Sequence, residues 1–306
     1  MRKPRLPKEH VQPGVRTVAA QRLPAGAEPP VAADCQVAHE DALSIDIEDV
    51  GVYTLMWTPT TALESTAGYV AADGLLGDAA CPEQFALAVG FAYTEGIINS
   101  LADIATLAVC PDRPDIVRMQ LVAPELVRVR RRDVLMTSSC GICGSREALA
   151  NSCAGMTPVA DTLRVEGGDF ARLLAGMQKR QSVFASTGGV HAAAVFDAAR
   201  KIVAAAEDLG RHNALDKVIG HCLLAGRPLL GCGVILSSRL SFEMVAKAAR
   251  AGFEIVAAVS APTSLAIEMA ERLGITLCGF VRGDCATVYT HPARIRELTA
   301  AATTPR

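Results

Sequence analysis

The cysteine pair Cys140 and Cys143 is the part of this sequence that could carry the most specific chemistry. The two residues form a single CxxC motif among small residues, including Gly141, Gly144 and several serines. Small residues favour a pliable loop that can bring a thiol to another molecule. A helix predicted to begin near Ser145 would place its positive end beside the sulfurs and lower their pKa. Because the thiolate is the nucleophilic form, the motif predicts a reactive sulfur.

Four kinds of chemistry fit a single CxxC motif. A structural zinc site needs two more ligands; there is no second CxxC, and only Cys153 or the histidines could complete the set. A thioredoxin-like redox motif should follow a strand and open a helix near the start of its domain. Two buried, inert thiols are a third interpretation. We favour the fourth, in which a thiolate accepts a sulfane sulfur and delivers it onward.

The composition indicates a two-domain chain without a strong charge of either sign. Its 306 residues are 50% hydrophobic, a length above the usual single-domain size. With 30 basic and 32 acidic residues, the chain has no general attraction to nucleic acids. Ten irregularly spaced cysteines indicate a reducing compartment. Neither a membrane-spanning apolar stretch nor the apolar part of a secretory signal is present, so we expect a soluble, cytoplasmic protein.

The first part of the chain is predicted to be a tail followed by a small α+β domain. Residues 1–38 are basic at the start and dense in proline, which is typical of a disordered tail. Within residues 39–133, Leu43 to Trp57 alternates apolar and polar residues around a turn at Glu48 to Gly51, which predicts two strands. A helix should follow Pro82. Two further strands are expected, at Ile104 to Val109 and Ile116 to Leu121.

Residues 134–306 are predicted to form an α/β domain that carries the CxxC loop. Apolar, strand-like segments alternate with helical ones, which is typical of a mostly parallel sheet with flanking helices. The expected strands are His191 to Phe196, Lys201 to Ala206, Gly233 to Leu236, Glu254 to Val259 and Ile275 to Phe280. Helices are expected from near Arg211, from Ser241 to Gly252 and from about Pro262 to Gly274.

Five blocks of the second domain resemble one known family. They are TSSCGICGS, STGGVHAAAVFD, EDLGRHNALDKVIG, LSSRLSFEMVAKAARAGFEIVAAVSAPTSLAIEMA and GFVRGDCATVYTHPARI. With FALAVGFAYTEGII upstream, they are similar to the formate dehydrogenase accessory sulfurtransferases, the FdhD proteins, over about Leu43 to Ile295. That family passes nearly directly from strand to helix in its first domain, so residues 60–81 look like an insertion.

The resemblance implies a fold, a reaction and a set of partners. The fold would be a deaminase-like α/β domain with a smaller N-terminal α+β domain, assembled as a homodimer. The reaction would move sulfur from a cysteine desulfurase to the molybdenum bis(molybdopterin guanine dinucleotide) cofactor of formate dehydrogenase, with that cofactor as bound substrate and no permanent metal. Cys140 would take the persulfide and Cys143 would be its partner. The family's cofactor-binding segment would correspond to Phe280, Val281, Arg282, Gly283, Asp284 and Cys285.

The cofactor-binding segment also makes physical sense by itself. Ligands of α/β proteins bind at the carboxyl ends of parallel strands, where Arg282 could pair with a phosphate and Asp284 could accept from a guanine edge. An ordinary strand-to-strand turn explains the same residues equally well. Cys285 is not typical of the family, and a small buried side chain would account for it.

Several other polar residues stand at predicted junctions between strands and helices. The glycine-rich block Ser186 to His191 could cradle a phosphate, although a tight turn into a strand is the simpler explanation. Junctions of this kind favour anions, so we expect a group of residues near the cofactor cleft. The group is His191, Asp208, Arg211, His212, Ser238 and Arg239.

Two rival functions stay open at this point. A zinc-dependent nucleobase hydrolase would need a His-x-Glu segment and Pro-Cys-x-x-Cys, whereas Ser139 stands in the place of the proline and no His-x-Glu occurs. A chaperone could bind the guanine dinucleotide cofactor and dock on the dehydrogenase without transferring sulfur.

Overall fold

The N-terminal segment forms a β-hairpin, so the prediction of a disordered tail over residues 1–38 is wrong for its two strands. The computed structural model describes residues 12–25, 29–61, 82–110, 112–127, 156–283 and 285–303. Within them, β1 (Val15–Arg22) and β2 (Val31–Ala38) pair in antiparallel register along their whole length. Val15 anchors the hairpin by packing with Val183 and Val190. The sequence does not reveal this hairpin, because most of its side chains face solvent and do not alternate between apolar and polar residues.

The first domain is a four-stranded sheet covered by a helix. Its elements are β3 (Asp41–Ile47), β4 (Gly51–Trp57), α1 (Glu83–Thr94), β5 (Ile104–Cys110) and β6 (Arg113–Leu121). The strand order is β4-β3-β6-β5, in which β3 and β6 are parallel and the other neighbours antiparallel. Leu43, Ile45 and Ile47 are buried at alternate positions, as a half-buried strand requires. The predicted strands and helix of this part are confirmed.

Two predictions about this domain lie outside the described residues. The insertion near residues 60–81 falls almost entirely in the stretch 62–81, and the boundary after residue 133 falls in the stretch 128–155. Both stay predictions.

The second domain contains a six-stranded sheet with helices on both faces. Its strands are β7 (His191–Phe196), β8 (Ile202–Asp208), β9 (Gly233–Leu236), β10 (Ile255–Ala258), β11 (Thr276–Arg282) and β12 (Cys285–Val288). Its helices are α2 (Gly167–Gln178), α3 (Ser182–Thr187), α4 (Arg211–Leu224), α5 (Phe242–Arg250), α6 (Ser264–Arg272) and α7 (Arg296–Thr303). Helices α4, α5 and α6 pack on one face of the sheet and α2 on the other.

The α/β class is confirmed, and the prediction of a mostly parallel sheet is right for four of its six strands and wrong for β7 and β12. The strand order is β12-β11-β10-β9-β7-β8, in which β8, β9, β10 and β11 run in one direction and β7 and β12 run in the opposite direction. Strand β7 is antiparallel to β8, and β12 to β11, because each pair is joined through a turn too short to hold a crossover helix. A short apolar segment predicts a buried strand, but it carries no information about the direction in which that strand runs.

A close helix crossing joins the two domains. Helix α1 of the first domain packs against α4 of the second, and Leu224 of α4 belongs to the first domain's core. A Cβ atom added at Gly90 would lie 1.8 Å from the carbonyl oxygen of Asp216, and one at Gly220 would lie 1.8 Å from that of Ala86. Glycine is therefore required at both positions for the backbones to approach this closely.

Among the residues that the structure describes, no helix has both the length and the apolar character needed to span a bilayer.

Candidate functional site

The ends of five strands bring the polar residues of the second domain to one edge of the sheet. The parallel strands β9, β10 and β11 end there at Leu236, Ala258 and Arg282, and Ser237 and Val259 follow the first two. The antiparallel strand β7 begins at the same edge with His191, which pairs with Asp208 at the end of β8. We call this the carboxyl edge. Sequence reasoning anticipated it, since ligands of α/β proteins bind beyond the carboxyl ends of parallel strands.

A groove runs along the carboxyl edge beneath helices α2 and α3. It consists of two adjoining pockets of about 550 and 560 Å³ that share Leu174, Gln178 and Val259. Arg282 and Gly283 line one pocket, while His191, Gly188 and Gly189 line the other. The groove therefore has an apolar floor with an arginine near one end and a histidine near the other.

The predicted cofactor-binding segment forms the turn at the arginine end of the groove. Phe280 is 42% exposed and has a φ of 52°, a conformation that non-glycine residues seldom adopt. Val281 is fully buried, and Gly283 has a φ of 53° with open space around its Cα. Arg282 pairs with the exposed Cys285 across the β11–β12 turn. The segment is thus both a strand-to-strand turn and a wall of the groove, and the expectation that Cys285 is buried is wrong.

Asp284 lies outside the described residues. The proposed acceptor for a guanine edge therefore stays a prediction.

Four basic residues gather at the other end of the carboxyl edge. Arg211 is the first residue of α4, and His212 follows it. Arg239 is exposed three residues before the start of α5, and His191 begins β7. Burial and the positive charges of the other three lower the pKa of His191. The strand pairing brings the four together, because His191 lies opposite Asp208, three residues before Arg211, and Arg239 follows the end of β9, the neighbour of β7. We call His191, Arg211, His212 and Arg239 the basic cluster.

The basic cluster has an acidic neighbour on α5. The Nε2 atom of His212 lies 3.0 Å from a carboxylate oxygen of Glu243. Glu243 also acts electrostatically on Arg211. The Nε atom of Arg211 is buried and has no hydrogen-bond partner among the described residues.

Asp208, which we expected near the cleft, is engaged in a buried ionic network instead. Its side chain accepts hydrogen bonds from the backbone amides of Thr58 and Gly210 and from Asn213. The Nζ atom of Lys217 lies 2.8 Å from the carboxylate of Asp208 and 2.8 Å from that of Glu83. All three charged side chains are buried, so Asp208 holds the start of α4 and cannot offer a free charge to a ligand.

Lys217 and Glu83 do not stand out in the sequence. Burial lowers the pKa of Lys217, but the attraction of Asp208 and Glu83 outweighs burial, and the net shift is upward. No local signal could have found Lys217, because on a helix it lies away from the face formed by Leu215, Val218 and Ile219, and it is buried only through its contacts with the first domain.

Ser238 and the glycine-rich block also find structural roles. Ser238 is buried at the end of β9. Helix α3 ends at Gly188, whose φ is 65° and whose amide donates to the carbonyl of Phe184. The block is therefore a helix-ending turn that leads into β7, although its two glycines also line the groove.

Cys140 and Cys143 lie outside the described residues, in the stretch 128–155. The residues on either side of that stretch are placed: Val127 packs against the first domain's core and Met156 against the core of the second. Cys143 precedes Met156 by 13 positions, and a chain of that length spans at most about 45 Å.

The buried cysteines that the structure describes are poor candidates for the reactive thiol. Burial raises the pKa of Cys222 and of Cys278 to about 12, and that of Cys232 is also raised. A thiol with such a pKa is almost wholly protonated at neutral pH and is a weak nucleophile. Among the described residues, no three histidine, cysteine, aspartate or glutamate side chains gather in a way that could hold a metal ion.

Comparison with known proteins identifies the family. The model of the FdhD/NarQ family matches residues 79–296, a range that contains Cys140, Cys143 and the whole groove. The chain belongs to the FdhD/NarQ family. A sulfur carrier protein FdhD from Bordetella bronchiseptica is 39% identical over 264 residues, which cover 85% of this chain and 87% of that protein. Another from Thermoplasma acidophilum is 41% identical over 215 residues, 68% of this chain and 74% of that protein.

A solved structure shares the fold of this FdhD/NarQ protein. It is described as a formate dehydrogenase accessory protein from Desulfotalea psychrophila, and it superposes with a TM-score of 0.69 at 22% sequence identity. The match covers 92% of this chain and 100% of that one.

Proposed function

We propose that this protein is a sulfur carrier that accepts a persulfide on Cys140 from a cysteine desulfurase. It passes the sulfur to the molybdenum bis(molybdopterin guanine dinucleotide) cofactor, its bound substrate, for the activation of formate dehydrogenase. The observation that carries the proposal is the family membership: relatives named sulfur carrier proteins align along most of the chain, and the family match includes the single CxxC motif.

The loading step is a thiol exchange on sulfane sulfur. The thiolate of Cys140 attacks the terminal sulfur of the desulfurase persulfide, forming the new S–S bond on Cys140 and breaking the old one. The desulfurase cysteine leaves as a thiolate, so the step needs no external oxidant or reductant.

Cys143 can drive release of the sulfur. Its thiolate attacks the Sγ atom of Cys140, forms a disulfide between the two residues and expels the terminal sulfur as hydrosulfide. The sulfane sulfur is reduced to sulfide while the two cysteines are oxidised, so the electrons balance within the motif.

The groove along the carboxyl edge is the proposed site of the cofactor. Val281, Arg282 and Gly283 of the predicted segment line it, and Phe280, Asp284 and Cys285 complete that segment. Arg282 can pair with a phosphate, and the two pockets of about 550 and 560 Å³ together offer room for a nucleotide arm. Met156 packs against the core of the second domain, to which the groove also belongs, and the 13 positions that separate Cys143 from Met156 can span up to about 45 Å.

Sulfur loading tests the proposal. The protein is incubated with a cysteine desulfurase and cysteine carrying radiolabelled sulfur, and the label on the protein is measured before and after treatment with a reductant. We expect Cys140→Ala to abolish reducible label. Cys285→Ala is the matched control, because Cys285 is exposed beside the groove but lies outside the CxxC motif, and it should load like the wild type.

Two results would overturn sulfur transfer. One is full loading of the Cys140→Ala variant. The other is full activation of formate dehydrogenase by that variant, which would favour a chaperone that binds the cofactor without carrying sulfur. The proposal also places the protein in the cytoplasm as a homodimer, which gel filtration with light scattering would test separately.

A further inference from the structure

The N-terminal hairpin is the part of the fold that the proposed reaction leaves without a role. One end of the hairpin joins the second domain, where Val15 packs with Val183 of α3 and with Val190. Beyond that end, most side chains of β1 and β2 are exposed on both faces. A two-stranded sheet is marginally stable at best in water and needs a third strand or a packed face. Among the described residues, the hairpin therefore lacks that support over most of its length.

The hairpin has an apolar face that points away from α3. Residues directly opposite each other in the register share a face, and Val15 and Ala38, which contact the second domain, lie on the other one. On the apolar face, Val18, Val31 and Val37 have exposed fractions of 41%, 56% and 38%. The face is completed by three small side chains between two arginines, namely Ala20, Ala33 and Cys35 between Arg16 and Arg22.

The outer edge of β2 is open to another strand. The amide of His39 donates to the carbonyl of Gly14 at 2.8 Å. In a continuous register, this bond directs the backbone groups of alternate residues outward from the hairpin, those of Ala32, Asp34 and Gln36. Among the described residues, these groups have no backbone partner outside the hairpin. Strand β2 contains no proline and no bulge, and Asp34 is its one charged residue, so little prevents this edge from pairing.

A second copy of β2 is complementary to this open edge. Identical strands can pair antiparallel about a two-fold axis, and in the register centred on Cys35, Asp34 of one copy lies opposite Gln36 of the other. The outward backbone groups of the two strands then face one another and can exchange hydrogen bonds. A register centred on Asp34 is disfavoured, because it opposes two aspartates. The net charge of -2 per chain opposes association only weakly.

We propose that β2 pairs with β2 of a second copy of this chain, so that the two hairpins form one four-stranded antiparallel sheet. The inference rests on the homodimer of the proposed function, for which it names a contact. The apolar faces of the two hairpins become one continuous face of that sheet. Strand β1 becomes the outer strand on both sides, and its Arg16 and Arg22 protect the new edges from further pairing.

Sedimentation equilibrium of the full chain measures this contact. Gln36→Asp opposes like charges twice in the symmetric dimer and should weaken it roughly 2-fold to 30-fold, whereas Gln36→Lys opposes unlike charges and should tighten it. Thr17→Asp is the matched control, because Thr17 is exposed and lies opposite Gln36 within the hairpin. It adds the same charge to β1, away from the second copy, and should leave the dissociation constant unchanged.

The register centred on Cys35 also predicts a cross-link. Opposed residues that exchange no hydrogen bonds have Cα atoms about 4.5 Å apart, which a disulfide can span. Oxidation with copper phenanthroline and oxygen should therefore join the free Cys35 thiols of two copies, and mass spectrometry should find the linked peptides. In the control, Val18→Cys combined with Cys35→Ser moves the thiol to β1, where the two copies stand roughly 15 Å apart, and no link should form there.

The outcomes separate this inference from sulfur transfer. A monomeric wild type, an unchanged dissociation constant in Gln36→Asp, or the absence of a Cys35 cross-link each overturns the pairing of β2. Sulfur loading on Cys140, measured on the same samples, then stands by itself. A chain that forms the Cys35 cross-link but gains no sulfur overturns sulfur transfer and leaves the contact between the two hairpins in place.

Discussion

Replacing Lys217 by methionine should lower the free energy of unfolding, because Lys217 connects the two domains beneath the carboxyl edge. The Nζ atom of Lys217 donates to the backbone carbonyls of Thr58 at 2.7 Å and Glu207 at 3.0 Å, and it contacts the carboxylates of Glu83 and Asp208. Glu83 belongs to α1 of the first domain, whereas Asp208 ends β8 beside the basic cluster. One ammonium group therefore holds elements of both domains.

The expected cost follows from the burial of the charges. Lys217 and Asp208 are fully buried and Glu83 is 3% exposed, so methionine leaves two carboxylates without their cation. Removing one partner of a buried ion pair costs about 3–5 kcal/mol, because the remaining charge is uncompensated. Lys217→Met should lower the free energy of unfolding by that amount, and Tm by on the order of 10 °C.

Urea unfolding at several pH values checks this prediction. Burial already raises the pKa of Asp208 in the presence of Lys217, and loss of the lysine should raise it further. A carboxyl group whose folded pKa lies above its unfolded pKa becomes less destabilising as it is protonated, so the deficit of Lys217→Met should shrink as pH falls from 7 towards about 4.

A double-mutant cycle provides the control. Lys217→Met combined with Asp208→Asn removes one of the buried charges as well, and it should lose less stability than the two single changes added together. If Lys217→Met unfolds within about 1 kcal/mol of the wild type at pH 7, or if its deficit grows on acidification, the buried network does not hold the domains in the way inferred.

Three further predictions follow from the described residues. Gly220→Ala places a Cβ atom 1.8 Å from the carbonyl oxygen of Ala86 and should lower the free energy of unfolding by about 3 kcal/mol or more. Gly168→Ala is the control, because the space around Gly168 is open and the free energy of unfolding should change little. Urea unfolding of both variants measures the difference. Arg239→Gln removes a positive charge near His191 and should raise the pKa of that histidine towards its ordinary value of 6.5. The protein should then lose less stability as pH falls through the pKa of His191 in the folded state. An NMR titration of His191 measures this pKa, and an unchanged pKa would refute the prediction. Burial raises the pKa of Cys222 and Cys278 to about 12, so both should resist iodoacetamide in the native protein at pH 7, while the exposed Cys285 should react. Mass spectrometric mapping of the modified residues measures this, and modification of either buried thiol before Cys285 would contradict the burial described.

The elements that are best predicted from the sequence are those whose burial shows in the pattern of neighbouring residues. The hairpin of β3 and β4 followed from alternation, and the strands β9, β10 and β11 followed from short apolar segments bounded by helix caps. The antiparallel direction of β7 could not be predicted in the same way, because strand direction depends on the length and path of connections.

The site was predicted in part, for a similar reason. Arg282 and His191 stand at strand ends, and the topology brings both to one groove, as sequence reasoning expected. The role of Asp208 as a buried anchor depends on Lys217 and on Thr58, which is 150 residues away in the chain, and no local pattern reports such a contact. The placement of Cys140 and Cys143 stays a prediction.

Intact-protein mass spectrometry tests sulfur carriage most directly. After incubation with a cysteine desulfurase and cysteine, the wild-type chain should gain the mass of one sulfur atom, fragmentation should place it on Cys140, and dithiothreitol should remove it. A chain that gains no sulfur, or that carries it equally in the Cys140→Ala variant, would contradict the assignment of the persulfide to that residue.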